Sequence, residues 1–132
     1  MPKHDRSKKY DLIVIGAGAS GLFASILYKR RKPEARVLIL EKMDKPAKRL
    51  LATGNGRCNF LPLRDSKKAF HSSEETEAHA YLESVSFEEV EAYWADLGLE
   101  WTLLDNGYYP SSLRAETLVE ILLFWVKKLG IE

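Results

Sequence analysis

The chain has a single cysteine, Cys58, which excludes both an internal disulfide framework and a paired redox-active disulfide. Its use of thiols suits a reducing compartment. Long hydrophobic runs are missing as well: the longest, Ile121 to Val126, is far shorter than a bilayer requires. Met1 to Lys9 is charged and has no apolar stretch of signal-peptide length, so a cytoplasmic location is expected. Residues 1–9 read as a basic, disordered leader. There is no internal repeat and no low-complexity linker. His4, His71 and His79 have no second ligand at metal spacing, so no metal site is expected. Net charge is almost absent, +1 from 20 Lys and Arg against 19 Asp and Glu.

The charge is unevenly placed. Residues 1–50 hold 13 cations against 5 anions, and residues 51–132 hold 7 against 14. The cations of the first part are spread over a tail, a helix end and a loop rather than one stripe, which suits a small anionic ligand and not nucleic acid. With 132 residues, 45% of them hydrophobic and 30% charged, the chain is long enough for one globular domain and has no membrane partner.

The organising stretch is Asp11 to Gly21, Asp-Leu-Ile-Val-Ile-Gly-Ala-Gly-Ala-Ser-Gly. Leu12 to Ile15 form a short uninterrupted apolar run, as expected of a parallel strand covered on both faces. Gly16, Gly18 and Gly21 follow in the G-x-G-x-x-G spacing. Gly16 permits the sharp turn, Gly18 lets a pyrophosphate approach the backbone, and Gly21 lets the next helix lie close to the strand. The N–H groups from Ala19 and Ser20 onward and the positive end of the helix dipole then face the anion. Leu22, Phe23, Ile26 and Leu27 share one helical face, Lys29 to Lys32 supply cations at the C-terminal end, and Pro33 stops the helix. A second apolar strand, Val37 to Leu40, ends at Glu41. A carboxylate at that strand tip accepts ribose hydroxyl hydrogens, as the dinucleotide fingerprint requires.

Beyond Glu41, Lys42 to Leu63 shows neither strand nor helix periodicity, and a loop of about twenty residues inside a compact domain is usually functional. Its centre, Thr53-Gly54-Asn55-Gly56-Arg57-Cys58-Asn59, offers hydroxyl, amide and guanidinium groups to a polar or anionic ligand. Lys48 and Arg49 stand just before it. Ser66 to Ala80 is weakly helical, with Ser72 or Ser73 as cap. Ser86 and Glu89 form a capping-box pair ahead of a helix burying Phe87, Val90, Tyr93, Trp94 and Leu97 and stopping at Gly98. Trp101 to Leu104 reads as a strand, Asp105-Asn106-Gly107 as a turn, and Leu113 to Leu129 as the last helix, capped by Ser111 or Ser112. The elements before that last helix, up to Tyr109, read as a small α+β insertion. Gly130-Ile131-Glu132 stands where a further parallel strand should begin, so the fold class expected is α/β, a Rossmann-like domain apparently truncated before its third parallel strand.

On the residues Asp11 to Gly21, Glu41-Lys42 and Leu50 to Asn59, the chain resembles the bacterial NAD(P)/FAD-dependent oxidoreductases of the aminoacetone-oxidase or BaiN type. Asn106-Gly107-Tyr108-Tyr109-Pro110-Ser111-Ser112 and Arg114-Ala115 resemble the family's segment before a helix. The resemblance implies that residues 10–132 are the N-terminal part of an FAD-binding domain. It places the pyrophosphate on Gly16, Gly18, Ala19, Ser20 and Gly21, the adenosine ribose on Glu41, and the rest of the flavin on Thr53, Gly54, Asn55, Gly56, Arg57, Cys58 and Asn59. Lys42, Lys48 and Arg49 join the cofactor-binding set. Leu61-Pro62 stand where the family usually has a Thr-Asn pair. The resemblance further implies a small-molecule substrate and NAD(P)H as electron donor.

Two other readings stand beside it: a stand-alone adenine-nucleotide-binding module without catalysis, and an NAD-binding dehydrogenase domain, which Glu41 permits. No catalytic acid or base is assignable from these residues. Cys58 lies in the suspected flavin loop but, with no partner thiol in the chain, reads as a small apolar filler rather than a redox group. Trp94, Trp101, Tyr108 and Tyr109 read as core at their helix and strand spacing.

Overall fold

The computed structural model describes residues 9–63, 77, 80, 82–104 and 107–132. The leader at 1–8, the three histidines, the turn residues 105 and 106 and nearly all of the expected helix at 66–80 lie outside the described residues. The chain divides into two compact units, residues 1–50 with 122–132, and residues 51–121.

In the first unit β1 (Leu12–Ile15), α1 (Ala19–Arg31) and β2 (Val37–Leu40) form a parallel β-α-β. Leu12 faces Val37, and the register runs in step to Ile15 opposite Leu40. Helix α1 has no acid in its first turn and three cations, Lys29, Arg30 and Arg31, in its last, the polarity its dipole favours at the C-terminal end. The Lys29 Nζ donates to the Ala35 carbonyl at 2.6 Å and fastens the helix end to the approach to β2. Leu22, Ile26 and Val37 are fully buried, each worth about 1.5–3 kcal/mol of apolar transfer. Ser25 is buried beside them, and its hydroxyl donates to the Gly21 carbonyl at 2.7 Å.

The expectation that β1 is covered on both faces is corrected. Its burial alternates: Ile13 is 52% and Ile15 87% exposed, while Leu12 and Val14 are partly covered. A continuous apolar run does not reveal which face has a neighbour.

The chain end adds to this sheet. Glu132 N donates to the Val37 carbonyl at 3.0 Å and Ile39 N donates to the Glu132 carbonyl at 2.7 Å, a parallel bridge beside Leu38 on the edge of β2 away from β1. The Glu132 carboxylate accepts from the Tyr10 hydroxyl at 2.9 Å and pairs with Arg36 at 3.2 Å, and the Arg36 guanidinium lies over the Tyr10 ring at 4.9 Å. Gly130-Ile131-Glu132, where a further strand is expected, contributes this one bridge and forms no named strand among the described residues.

The Lys42 to Leu63 segment is not structureless. It contains the one-turn helix α2 (Lys48–Leu51), a 3-10 turn over Thr53–Gly56 and an antiparallel bridge from Leu61 to Tyr108. Segments of one turn are too short to show a hydrophobic period.

The second unit packs α3 (Phe87–Asp96) with an antiparallel hairpin of β3 (Trp101–Leu104) and β4 (Gly107–Pro110). The capping box forms as expected: Ser86 Oγ accepts from Glu89 N at 3.1 Å, and Glu89 Oε2 accepts from Ser86 N at 2.9 Å. Phe60 meets Trp94 and Trp101 edge-on, at 5.7 and 6.2 Å between ring centroids; Trp94 is buried in this unit's core and Trp101 is half-buried.

The last helix, α4 (Ala115–Lys128), starts two residues later than its pattern suggests. Tyr108 to Pro110 belong to β4, and Leu113 takes a left-handed φ of 54°, which the helix cannot continue through. Ser112 Oγ accepts from Arg114 N at 3.3 Å at this corner. Gly130, at φ 66°, closes the C-terminal end.

Candidate functional site

Strand β1 ends against a turn that only glycine permits at two places. Gly16 has a φ of 99°, and a Cβ added to Gly21 would run into the Gly16 carbonyl oxygen and crowd Val14 at 3.2 Å. Gly18 differs from both. Its φ is −79°, and a Cβ there would meet nothing within 4 Å. The chain's own packing does not require glycine at 18, so the open space above it is room for a ligand. No side chain caps α1, whose first turn begins with Ala19, Ser20 and Gly21; these three do not line the cavity described below.

Across from this turn the chain leaves β2 and folds back. Glu41 Oε2 accepts from Ala17 N at 2.6 Å and Oε1 accepts from Met43 N at 2.8 Å. These backbone donors hold the Glu41 carboxyl below its ordinary value of 4.5, so it is ionised at neutral pH. Ala47 N donates to the Ala17 carbonyl at 2.7 Å, which draws the returning segment over the glycine turn. Ala47 reaches this position with a left-handed φ of 55°.

The space enclosed is a cavity of about 480 Å³ lined by Gly16, Ala17, Gly18, Glu41, Lys42, Met43, Lys45, Ala47, Lys48 and Arg49. One carboxylate and four cations line it, and Lys48 also pairs with Asp44 at 3.7 Å. Such a lining attracts a polyvalent anion while leaving one acceptor for hydroxyl groups. Of the expected site residues, Gly16, Gly18, Glu41, Lys42, Lys48 and Arg49 lie together on this wall. Lys45 and Ala47 were missed by sequence reasoning. Lys45 carried a signal in its position between Lys42 and Lys48, whereas nothing in an alanine announces a positive φ.

Thr53 to Asn59 belong to the second unit. Gly54 and Asn55 take left-handed φ values of 55° and 54°, and Cys58 one of 58°. Arg57 N donates to the Gly54 carbonyl and Cys58 N to the Thr53 carbonyl, both at 3.1 Å, closing the turn on itself. The Arg57 guanidinium lies over the ring of Tyr109 at 5.6 Å, and Tyr109 is 2% exposed. The Asn59 side chain packs against Gly107 so closely that a Cβ there would meet its Oδ1 at 2.6 Å. Cys58 is 1% exposed, and burial pushes its thiol above the ordinary 9.0 despite a hydrogen bond with Thr53. A buried neutral thiol presents no nucleophile, which fits its reading as filler.

A strand running into a G-x-G-x-x-G turn under a helix N-terminus, followed by a parallel strand that ends in an acid, defines a Rossmann-type nucleotide-binding domain. The chain belongs to the HI0933-like protein Rossmann domain family, whose model matches residues 10–132. It is 37% identical over 110 residues to the 3-dehydro-bile acid delta(4,6)-reductase of Clostridium scindens, a match covering 83% of this chain and 27% of that protein. It is 43% identical over 56 residues to the ribosomal RNA dihydrouridine synthase of Escherichia coli, covering 42% of this chain and 14% of that one. The chain thus spans about a quarter or less of the relatives it matches. Among the described residues no helix is long and apolar enough to cross a membrane, and no three His, Cys, Asp or Glu side chains group as metal ligands.

Proposed function

We propose that this chain is the FAD-binding portion of a flavin-dependent oxidoreductase, with the adenosine diphosphate half of FAD in the cavity beside the glycine turn. The observation that carries the reading is that cavity: four cations and the Glu41 carboxylate around an open space beside Gly18, at the turn that leads into α1. The donor set fits a diphosphate, and Glu41 fits a ribose diol. Gly16, Gly18, Ala19, Ser20 and Gly21 would hold the pyrophosphate, Glu41 the ribose, and Lys42, Lys48 and Arg49 the remaining negative charge. By the family resemblance, Thr53 to Asn59 serve the flavin portion, with Arg57 as its charged group.

When bound, FAD supplies hydride or electron transfer, and the protein's part is to bind, orient and shield it. Of the two relatives, one is by name a reductase of a bile-acid derivative and the other makes dihydrouridine in ribosomal RNA. Their substrates differ in kind, so only the redox class is extended to this chain. A small-molecule substrate and NAD(P)H as donor complete the proposal.

The test is purification of the intact protein. It is expected to be yellow and to release FAD on denaturation, identified against FMN by chromatography. A colourless protein that takes up no added FAD overturns the reading. Calorimetric titration with FAD, NAD and ADP separates the alternatives, because tight ADP binding without flavin uptake favours the nucleotide-binding module.

A further inference from the structure

Ala17 is the residue on which the glycine turn pivots, and both of its backbone polar groups are held from outside the turn. Its N–H donates to Glu41 Oε2 at 2.6 Å and its carbonyl accepts from Ala47 N at 2.7 Å. The two peptide planes flanking Ala17 are thereby fixed, and they carry the only two soft dihedrals of that residue. Glu41 uses its other oxygen to accept from Met43 N at 2.8 Å, so one side chain ties the turn after β1 to the turn after β2. The Ala17 amide is committed to this carboxylate, and the amides left to face an anion begin at Gly18.

We infer that Glu41 is a positioning residue of the phosphate turn: by holding the Ala17 amide it aims the amides from Gly18 onward, and so sets affinity for the diphosphate as well as for the ribose. The inference rests on the reading of this cavity as the diphosphate site. It makes a claim opposite in sign to the simple one. A carboxylate that serves only the ribose repels the neighbouring anion, and its removal strengthens pyrophosphate binding by roughly twofold. A carboxylate that builds the cradle weakens pyrophosphate binding when removed, because the amides lose their common aim.

The experiment measures inorganic pyrophosphate and FAD binding to the intact protein and to its E41Q and E41A variants by calorimetry. Pyrophosphate has no ribose, so it reports the turn alone. The expected result is pyrophosphate binding about three- to tenfold weaker in E41A, with E41Q between it and the parent because an amide oxygen replaces one of the two ties. Unchanged or tighter pyrophosphate binding in E41A, with FAD weakened, overturns the inference and leaves the proposed function standing. Parent protein that binds neither FAD nor pyrophosphate overturns the proposed function itself, and the claim about affinity with it. An amide NMR titration of the parent protein needs no variant. The Ala17 and Met43 amide protons are expected to shift together as Glu41 protonates, and an Ala17 amide that ignores that titration also overturns the inference.

Discussion

The guanidinium of Arg57 rests over the buried ring of Tyr109, 5.6 Å from its centroid, and joins the Thr53 to Asn59 turn to strand β4. Removing Tyr109 therefore empties the core and frees the turn at once. Y109A is expected to cost about 3–5 kcal/mol of stability in urea unfolding, as large aromatic truncations do. R57A removes an exposed group and is expected to cost about 0.5–1 kcal/mol, the size of an exposed cation–π contact. If Arg57 serves the flavin, R57A lowers FAD affinity in a fluorescence titration by more than that loss of stability accounts for.

Gly21 and Gly18 separate what the fold needs from what the ligand needs. G21A drives a methyl group into the Gly16 carbonyl oxygen and is expected to destabilise by about 1–3 kcal/mol or more, measured by thermal unfolding. G18A meets nothing within 4 Å and is expected to change stability by only about 0.5 kcal/mol. Its effect is expected in FAD affinity, since the methyl group occupies the space above the turn.

Ala47 is strained where it stands. It is buried and holds a left-handed φ of 55°, a conformation that costs an L-residue about 1–2 kcal/mol. A47G relieves that strain but adds about 0.4–1 kcal/mol of unfolded-chain entropy. The net expectation is a stabilisation of about 0.5–1 kcal/mol, read as a raised Tm.

The Glu41 ties give a pH dependence of known sign. The folded carboxyl titrates below its ordinary 4.5, so the unfolded chain binds more protons as acid is added. The stabilisation is complete above the ordinary value and is lost as pH falls through the lower folded one. Denaturation midpoints of the parent and E41Q are therefore expected to differ at neutral pH and to converge in acid.

Cys58 is expected to resist a thiol reagent in the native protein at neutral pH and to react once the chain is unfolded, because burial raises its thiol above 9.0. Rapid native labelling would contradict its place in the core.

The local order of the fold was legible because each element carried its own signal. The apolar runs Leu12 to Ile15 and Val37 to Leu40, the Ser86 and Glu89 capping box and the stop at Gly98 depend on nearby residues alone, and all appear where expected. What was not legible depends on distant partners. Alternation of burial along β1 and the bridge from Leu61 to Tyr108 involve neighbours far along the chain, and the late start of α4 at Ala115 follows from the left-handed φ of Leu113, which no residue pattern announces.

The same division runs through the candidate site. By itself the sequence determined that a glycine turn, a helix N-terminus and the acid Glu41 belong to one β-α-β unit, because spacing along the backbone imposes it. Tertiary structure alone decided that Glu41 holds the Ala17 amide and that Ala47 closes over the turn, for hydrogen bonds across 24 and 30 residues of chain leave no periodic trace. A motif records local geometry, whereas a cavity is made only when separate turns are brought face to face.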